Sequence, residues 1–429
     1  MSTVDRRSFL THTAALLGAA SGAGALVGAT GAADGAPAGN SPTESPGEAP
    51  GVSVAASDLA TMEPFAGEHQ AGILTPVPAH ATFAALDSLA PDRLTLIATL
   101  RALSERANQL TAGGPIPVLE VDAPPADSGT LGPDNAPDAL TVTIAFGASL
   151  FDERYGLAPA RPHELTTMPT FPIDDLDPAQ SHGDVLLQIC AHHRDTVVHA
   201  LRELLRAVRG SLQLRWTIDG FSSAARGPTP QNNPRNLFAF RDGTANPPTD
   251  DPALMKELVW AGAGEPAWAA GGTYQIIRVI RMHVEFWDRV GLNEQQNMIG
   301  RVRDTGAPLG GQSEFEDPRY DLDPDGQRIK LNAHIRLANP RTSATARQRF
   351  LRRGFNYHRG FDEAGQLDQG LIFAAFNQSP TRQFVTVQER LLTEPMTDYT
   401  TPVGGGYFFV PPGIQGEGDW VGSGMFENL

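Results

Sequence analysis

The chain has 429 residues, with 49 Asp and Glu against 33 Lys and Arg and a formal net charge of −16. That acidity argues against a nucleic-acid partner, since a phosphate backbone is repelled unless a local basic patch intervenes. A single cysteine, Cys190, excludes an internal disulfide framework and any thiolate-built zinc or iron–sulfur site.

Arg6 and Arg7 precede Ser8, Phe9 and Leu10 and then an apolar run of Ala, Gly and Leu. Residues 1–36 therefore read as a twin-arginine signal peptide, and the protein is expected to be secreted or held in the cell envelope or periplasm. The apolar run is short and broken by Gly, so no membrane span is expected in the mature protein. Residues 37–60, rich in Gly, Ser, Pro and Glu, read as a flexible linker. This route exports folded proteins, which makes a cofactor inserted before export an expectation.

Two domains are expected from the remaining length, over residues 61–230 and 231–429. In the first, the patterning predicts a strand over 81–86, a helix over 93–110, and a half-buried strand over 139–146 from the alternation of Leu140, Val142, Ile144 and Phe146. A strand over 184–191, a helix over 194–208 and a strand over 211–218 follow. The second repeats the order: strand 273–284, helix 285–299, strands 349–357 and 371–376, helix 382–392 and strand 406–410. Both halves read βαββαβ, so the expected fold class is α+β, two ferredoxin-like units with antiparallel sheets under helices in a dimeric α+β barrel-like arrangement. A cleft between sheet and helices would suit a flat ligand.

Between the halves, Phe240-Arg241-Asp242-Gly243-Thr244-Ala245-Asn246-Pro247 packs charge and turn chemistry into one loop. Such a loop can hold a carboxylate rigidly beside a cofactor, although the same residues also make an ordinary turn. Most of the eleven histidines have bland explanations. His192, His193 and His199 sit at or on the 194–208 helix, where cap or surface roles are expected, and His163 and His182 lie in polar loops. His334 differs in context, because it follows a long acidic loop and precedes a segment carrying Arg352 and Arg353, although a lone histidine is more often structural than ligating and those arginines read equally as a solvated rim. No zinc-hydrolase or facial-triad spacing, Gly-x-Ser-x-Gly elbow or Walker loop occurs, and only Lys256 and Lys330 could support Schiff-base chemistry. Cys190 reads as an inert core thiol, and Gly404-Gly405-Gly406 as a strand eased into a crowded cleft.

The leader, the Arg241-to-Pro247 loop, the segment His334-Ile335-Arg336-Leu337-Ala338-Asn339-Pro340-Arg341 and Leu351-Arg352-Arg353-Gly354-Phe355 together resemble the dye-decolourising peroxidases, in their exported deferrochelatase/peroxidase-like branch. The resemblance covers nearly all of the chain after about residue 60, and Arg352 follows His334 by 18 residues, as the family's order requires. One departure is visible: the family's motif has Gly three positions before the catalytic Asp, and Ala239 stands there. Ala resists positive φ, so the change matters if the loop needs a left-handed turn.

The resemblance implies one haem b per chain, bound in the second half with His334 as proximal iron ligand. Glu394 or Asp398 would accept from the other ring nitrogen, with Glu394 favoured. Asp242 would move the proton of hydrogen peroxide on the distal side and Arg352 would stabilise developing charge, on the way to a ferryl intermediate. Arg241, Gly243, Thr244, Asn246 and Arg336 would contact the haem or brace the loop, and Leu371 and Phe373 would line the distal cavity. Dyes, phenols and other bulky reductants would pass electrons through surface aromatics, with Trp216, Tyr357 and Trp420 as unranked candidates, although each reads more readily as a buried core aromatic. The alternative implied is haem handling, as a deferrochelatase or haem carrier with iron-uptake components as partners. A chlorite-dismutase-like enzyme is disfavoured by Asp242.

Overall fold

Eight strands close into a ring in the computed structural model, which describes residues 56–223, 233–416 and 418–427. The predicted leader and most of the predicted linker lie outside the described residues, and the last linker positions, Ala56–Leu59, form a helical turn. Among the described residues no helix is long and apolar enough to cross a membrane.

The first half supplies β1 (His80–Ser88), α1 (Arg93–Ala112), β2 (Thr141–Gly147), β3 (Val185–Ala191), α2 (Arg194–Ala207) and β4 (Leu212–Phe221). The second supplies β5 (Thr273–Met282), β6 (Phe355–Phe361), β7 (Leu367–Asn377) and β8 (Thr400–Val410). Within the halves the orders are β2-β3-β1-β4 and β8-β5-β7-β6, each the antiparallel ferredoxin-like arrangement. Two seams join them, through Phe408 against Gly147 and Phe409 against Phe146, and through Phe221 against Asn356.

Closure explains a difference from the sequence pattern. Alternation predicted β2 to be half-buried, yet every residue of it is buried. Val142, Ile144 and Phe146 pack with Leu96, Leu100, Leu103, Val197 and Leu204 of the helices, while Ala145 faces a separate interior cluster with Phe83, Ile277, Phe355 and Phe408. Where the barrel is lined inside and covered by helices outside, as at β2 and β3, neither strand face meets water, whereas β4 keeps exposed residues such as Gln213, Arg215 and Asp219. The polar residues that alternate with the outer apolar set, Thr143 and Gln188, are satisfied inside by backbone partners such as the carbonyls of Ala71 and Gly72.

Helix ends follow local chemistry. Asp92 caps α1 by accepting from Thr95 N at 2.8 Å, and Gly113 at φ +66 ends it. The single helix predicted over 285–299 is two, α3 (Val284–Trp287) and α4 (Leu292–Ile299), because Gly291 breaks the chain between them. The strand predicted over 349–357 is likewise split into Leu351–Arg352 and β6, at Gly354, whose missing Cβ would lie 3.3 Å from Ile372 O. The predicted helix over 382–392 starts as a π turn, Thr381–Val385, before α5 (Thr386–Leu391).

Candidate active site

The outer face of the second half-sheet presents Ile280 and Met282 of β5 and Leu371 and Phe373 of β7 to a cavity. One wall is a short helix that the sequence pattern did not reveal, His334–Ala338, and another is the loop carrying Asp242. Leu371 and Phe373 share a strand face by the two-residue period, as expected. Met298, Ile299 and Met396 complete an apolar cluster beneath it.

His334 is held at the start of its helix. Its Nδ1 lies 2.7 Å from Glu394 Oε2, and Glu394 is buried, so of the two acidic candidates it is Glu394 and not Asp398 that meets the imidazole. Burial opposes a charge on the ring, but the Glu394 carboxylate outweighs it and holds the His334 pKa above its ordinary value. Nε2 is left as the ring nitrogen able to ligate a metal.

Asp242 and Arg352 come together from segments more than a hundred residues apart, with Arg352 Nη2 2.7 Å from Asp242 Oδ1. Both side chains remain partly open to the cavity, at 21% and 28% exposure. Asn246 fixes their relationship: its Nδ2 donates to Arg352 O at 2.8 Å and its Oδ1 accepts from Arg352 N at 3.0 Å. Asp242 N donates to Pro234 O at 2.9 Å, and Asn246 N to Gly243 O at 2.9 Å, so the loop is a set of tight turns. Gly243 takes φ +102 within it. Ala239, the departure noted above, adopts φ +69, the left-handed conformation that an alanine resists. Its carbonyl accepts from Arg235 Nη1 at 2.6 Å, one of the contacts that hold it there.

Arg241 lines the cavity, donates from Nη1 to Asn233 O at 3.0 Å and lies 3.9 Å from Glu314. Gly306, at φ +75, makes room for it, since a Cβ there would meet Arg241 Cγ at 2.7 Å. Thr244 Oγ1 donates to Glu314 Oε1 at 2.8 Å, so its hydroxyl braces the loop. Glu314 thus organises Arg241, Thr244 and Asn233 together, and its place in a long acidic loop gave no signal of that role.

Arg336 is a correction. It does not line the cavity: it donates to Ile329 O at 3.0 Å and Asp323 O at 2.8 Å, with its guanidinium 4.9 Å from the ring centroid of Tyr320, which does. Two residues, a little over half a turn of helix, separate its direction from that of His334, and Arg301, Arg341 and Arg349 line the cavity instead. Of the aromatic candidates, Trp216, Tyr357 and Trp420 are all buried, which is the core reading expected for each, and Tyr357 is fully enclosed in the barrel. His199, expected at a cap or surface, is buried with Nε2 2.9 Å from both oxygens of Asp127. Arg106 bonds Asp127 and Glu203 at 3.0 and 2.8 Å, so those carboxylates already share a cation. Cys190 is fully buried and burial pushes its thiol pKa up, which fits an inert core thiol.

The residues present fit a haem. A histidine with its Nδ1 tied to a carboxylate, a slot walled by Ile280, Met282, Leu371 and Phe373, and cations of Arg241, Arg301 and Arg341 at its lining match an iron, a flat apolar macrocycle and its carboxylates.

Comparison with known proteins bears on this geometry. Residues 70–222 match the family described as Dyp-type peroxidase, N-terminal, and residues 233–415 the one described as Dyp-type peroxidase, C-terminal. A protein named deferrochelatase from Yersinia pestis is 48% identical over 368 residues, covering 85% of each chain. One of the same name from Escherichia coli strain K12 is 49% identical, covering 85% of this chain and 87% of its own. Among solved structures, a DyP-type peroxidase from Cellulomonas bogoriensis is 36% identical with a TM-score of 0.77, covering 86% of this chain and 99% of its own. Ferric DtpA from Streptomyces lividans is 33% identical with a TM-score of 0.78, covering 87% and 99%.

Proposed function

Because the chain belongs to the Dyp-type peroxidase family, and is thus a haem-dependent peroxidase, we propose that one haem b sits in the cavity between His334 and the Asp242–Arg352 pair, and that the protein reduces hydrogen peroxide at the expense of dyes, phenols or similar donors. The observation that carries the reading is the 2.7 Å contact of Asp242 with Arg352 across the cavity from a histidine whose Nδ1 is already tied to Glu394.

His334 Nε2 would hold the iron, and the bound haem supplies the redox chemistry that cleaves the peroxide O–O bond. The residues of the chain handle the proton and the charge. An oxygen of Asp242 accepts the proton from one peroxide oxygen and delivers it to the other, which leaves as water. The Arg352 guanidinium, always cationic, stabilises negative charge that develops as the bond breaks and keeps the Asp242 carboxylate directed at one place. Leu371 and Phe373 exclude water and large molecules from this side, so only a small oxidant reaches it. Glu394 orients the His334 ring and makes it a better donor.

Asp242→Asn and Arg352→Leu should each retain the Soret band yet slow the absorbance change on adding one equivalent of peroxide by orders of magnitude. Unchanged peroxide kinetics in both would sink the mechanism. A second reading, haem handling for iron supply after export, is favoured by the 48–49% identity to proteins named deferrochelatase. It predicts metal-free porphyrin fluorescence on incubating the protein with haem, with or without peroxide, and no such signal if the protein only turns over peroxide.

A further inference from the structure

The run Gly404, Gly405, Gly406 in β8 plays no part in the cavity just described. Its absent side chains admit the segment 180–183: a Cβ on Gly404 would lie 2.5 Å from Gln180 O, and one on Gly406 3.2 Å from His182 Cα. His182 N donates to Gly405 O at 2.7 Å, and Gly405 itself sits at φ +120. His182 is held at φ +63, a conformation that costs a non-glycine residue energy and persists only where surrounding contacts impose it. The product of this packing is a second cavity, of about 480 Å³, with His182 and Tyr407 in its wall and Thr166 and Thr167 at its exposed rim.

Its charges are already compensated, Arg154 with Asp184 at 3.0 Å and Arg215 with Asp87 at 3.1 Å, so it suits a neutral aromatic molecule with hydroxyl groups better than an ion. Tyr407 joins this cavity to the first. Its ring stacks edge-on against Phe384 with centroids 6.0 Å apart, and Phe384 lies 5.7 Å from Phe373 and 6.3 Å from Phe350. Phe350, Phe373 and Phe384 all line the cavity that holds His334. The Tyr407 hydroxyl is buried without a hydrogen-bond partner among the described residues, and burial drives its pKa far up, so the phenol keeps its proton. His182 is kept neutral at pH 7 by burial, with the Arg215 charge acting in the same direction, and so can accept one.

We propose that this second cavity is a docking site for a neutral phenolic donor, whose electron reaches the haem cavity through the rings of Tyr407 and Phe384 and whose proton passes to His182. The inference rests on the peroxidase reading. Each donor ArOH breaks its O–H bond, giving ArO•, a proton on His182 and one electron to the centre that peroxide has oxidised. Two donors, two electrons and two protons convert one H₂O₂ to two H₂O.

The test uses the haem-loaded protein and 2,6-dimethoxyphenol. Without peroxide, calorimetric titration should show binding that Thr166→Trp or Thr167→Trp, both exposed and so harmless to folding, weakens at least tenfold. With peroxide, Tyr407→Leu should bind the phenol normally but oxidise it at least tenfold more slowly, while Tyr407→Phe, which keeps the ring, stays within about twofold of the parent. The Soret change with peroxide alone should be the same in all four. Phenol binding and oxidation untouched by either rim Trp, or normal oxidation by Tyr407→Leu, would overturn the site. A parent protein whose Soret band ignores peroxide would instead remove the peroxidase reading, whatever the titration shows.

Discussion

Asn246 grips the main chain of Arg352 from both sides, donating to its carbonyl at 2.8 Å and accepting from its amide at 3.0 Å. Two hydrogen bonds from one side chain lock the Asp242 loop to the strand that carries the arginine, although neither group of Asn246 needs to touch peroxide. Asn246→Ala should therefore keep the haem and lose about 1–3 kcal/mol of positioning, which is roughly fivefold to 150-fold in the peroxide step. Stopped-flow absorbance against peroxide concentration reads this directly. A rate equal to the parent's would show that the clamp is dispensable.

Glu394 acts from the opposite side. Replacing its carboxylate by an amide in Glu394→Gln keeps the shape but removes the negative charge 2.7 Å from His334 Nδ1. Haem affinity should fall by about 10- to 100-fold, as for other partners of ligating histidines. The iron reduction potential should rise with it, because a less basic imidazole stabilises ferric iron less. Spectroelectrochemistry and haem transfer to an acceptor protein measure the two effects separately.

Ala239 predicts a gain instead of a loss. At φ +69 an alanine pays a steric penalty that glycine does not, so Ala239→Gly should stabilise the folded protein by about 1 kcal/mol less the added freedom of glycine in the unfolded chain. Thermal unfolding of the parent and variant at equal haem loading provides the comparison. A lower midpoint in the variant would mean that the turn does not hold the strain assigned to it.

Stability should decline on the acid side of neutrality. Burial lowers the pKa of His69, His80 and His283 below 6.5, so each is neutral in the fold at pH 7 and takes up a proton more readily when unfolded. Their contribution is complete above pH 6.5 and is lost as pH falls through their folded values. Urea unfolding between pH 7.5 and 5 should show the decline, and His283→Gln, which can still hydrogen-bond Thr401, should make it shallower.

Much of this was legible in the sequence. Seven of the eight ring strands, α1 and α2 overlap well with the apolar segments predicted for them, β6 is matched only at its first three residues, and the repeated order points to two ferredoxin-like sheets. Asp242, His334 and Arg352 are marked by the family resemblance of their segments, which taken alone also read as an ordinary turn, a structural histidine and a solvated rim. Arg336 failed because a five-residue helix turns alternate side chains in different directions, and nothing in the local pattern announces a helix at His334–Ala338. Glu314 was invisible for another reason. Its partners Asn233, Arg241 and Thr244 lie about seventy or more residues away along the chain, and only the folded loop shows why one acid among many is buried there. The alternation in β2 spoke correctly about its outer face and was silent about the barrel interior.

The two seams of the ring set the smallest unit that can stand alone. Parting the halves would open β8 from β2 and β4 from β6, baring four strand edges and the interior cluster that includes Phe83, Ile277, Phe355 and Phe408. Exposed edges of that kind pair with other chains. The half that carries His334, Asp242 and Arg352 is consequently no portable module: grafted or expressed by itself it would aggregate, and catalysis and the seemingly idle first half must be inherited together.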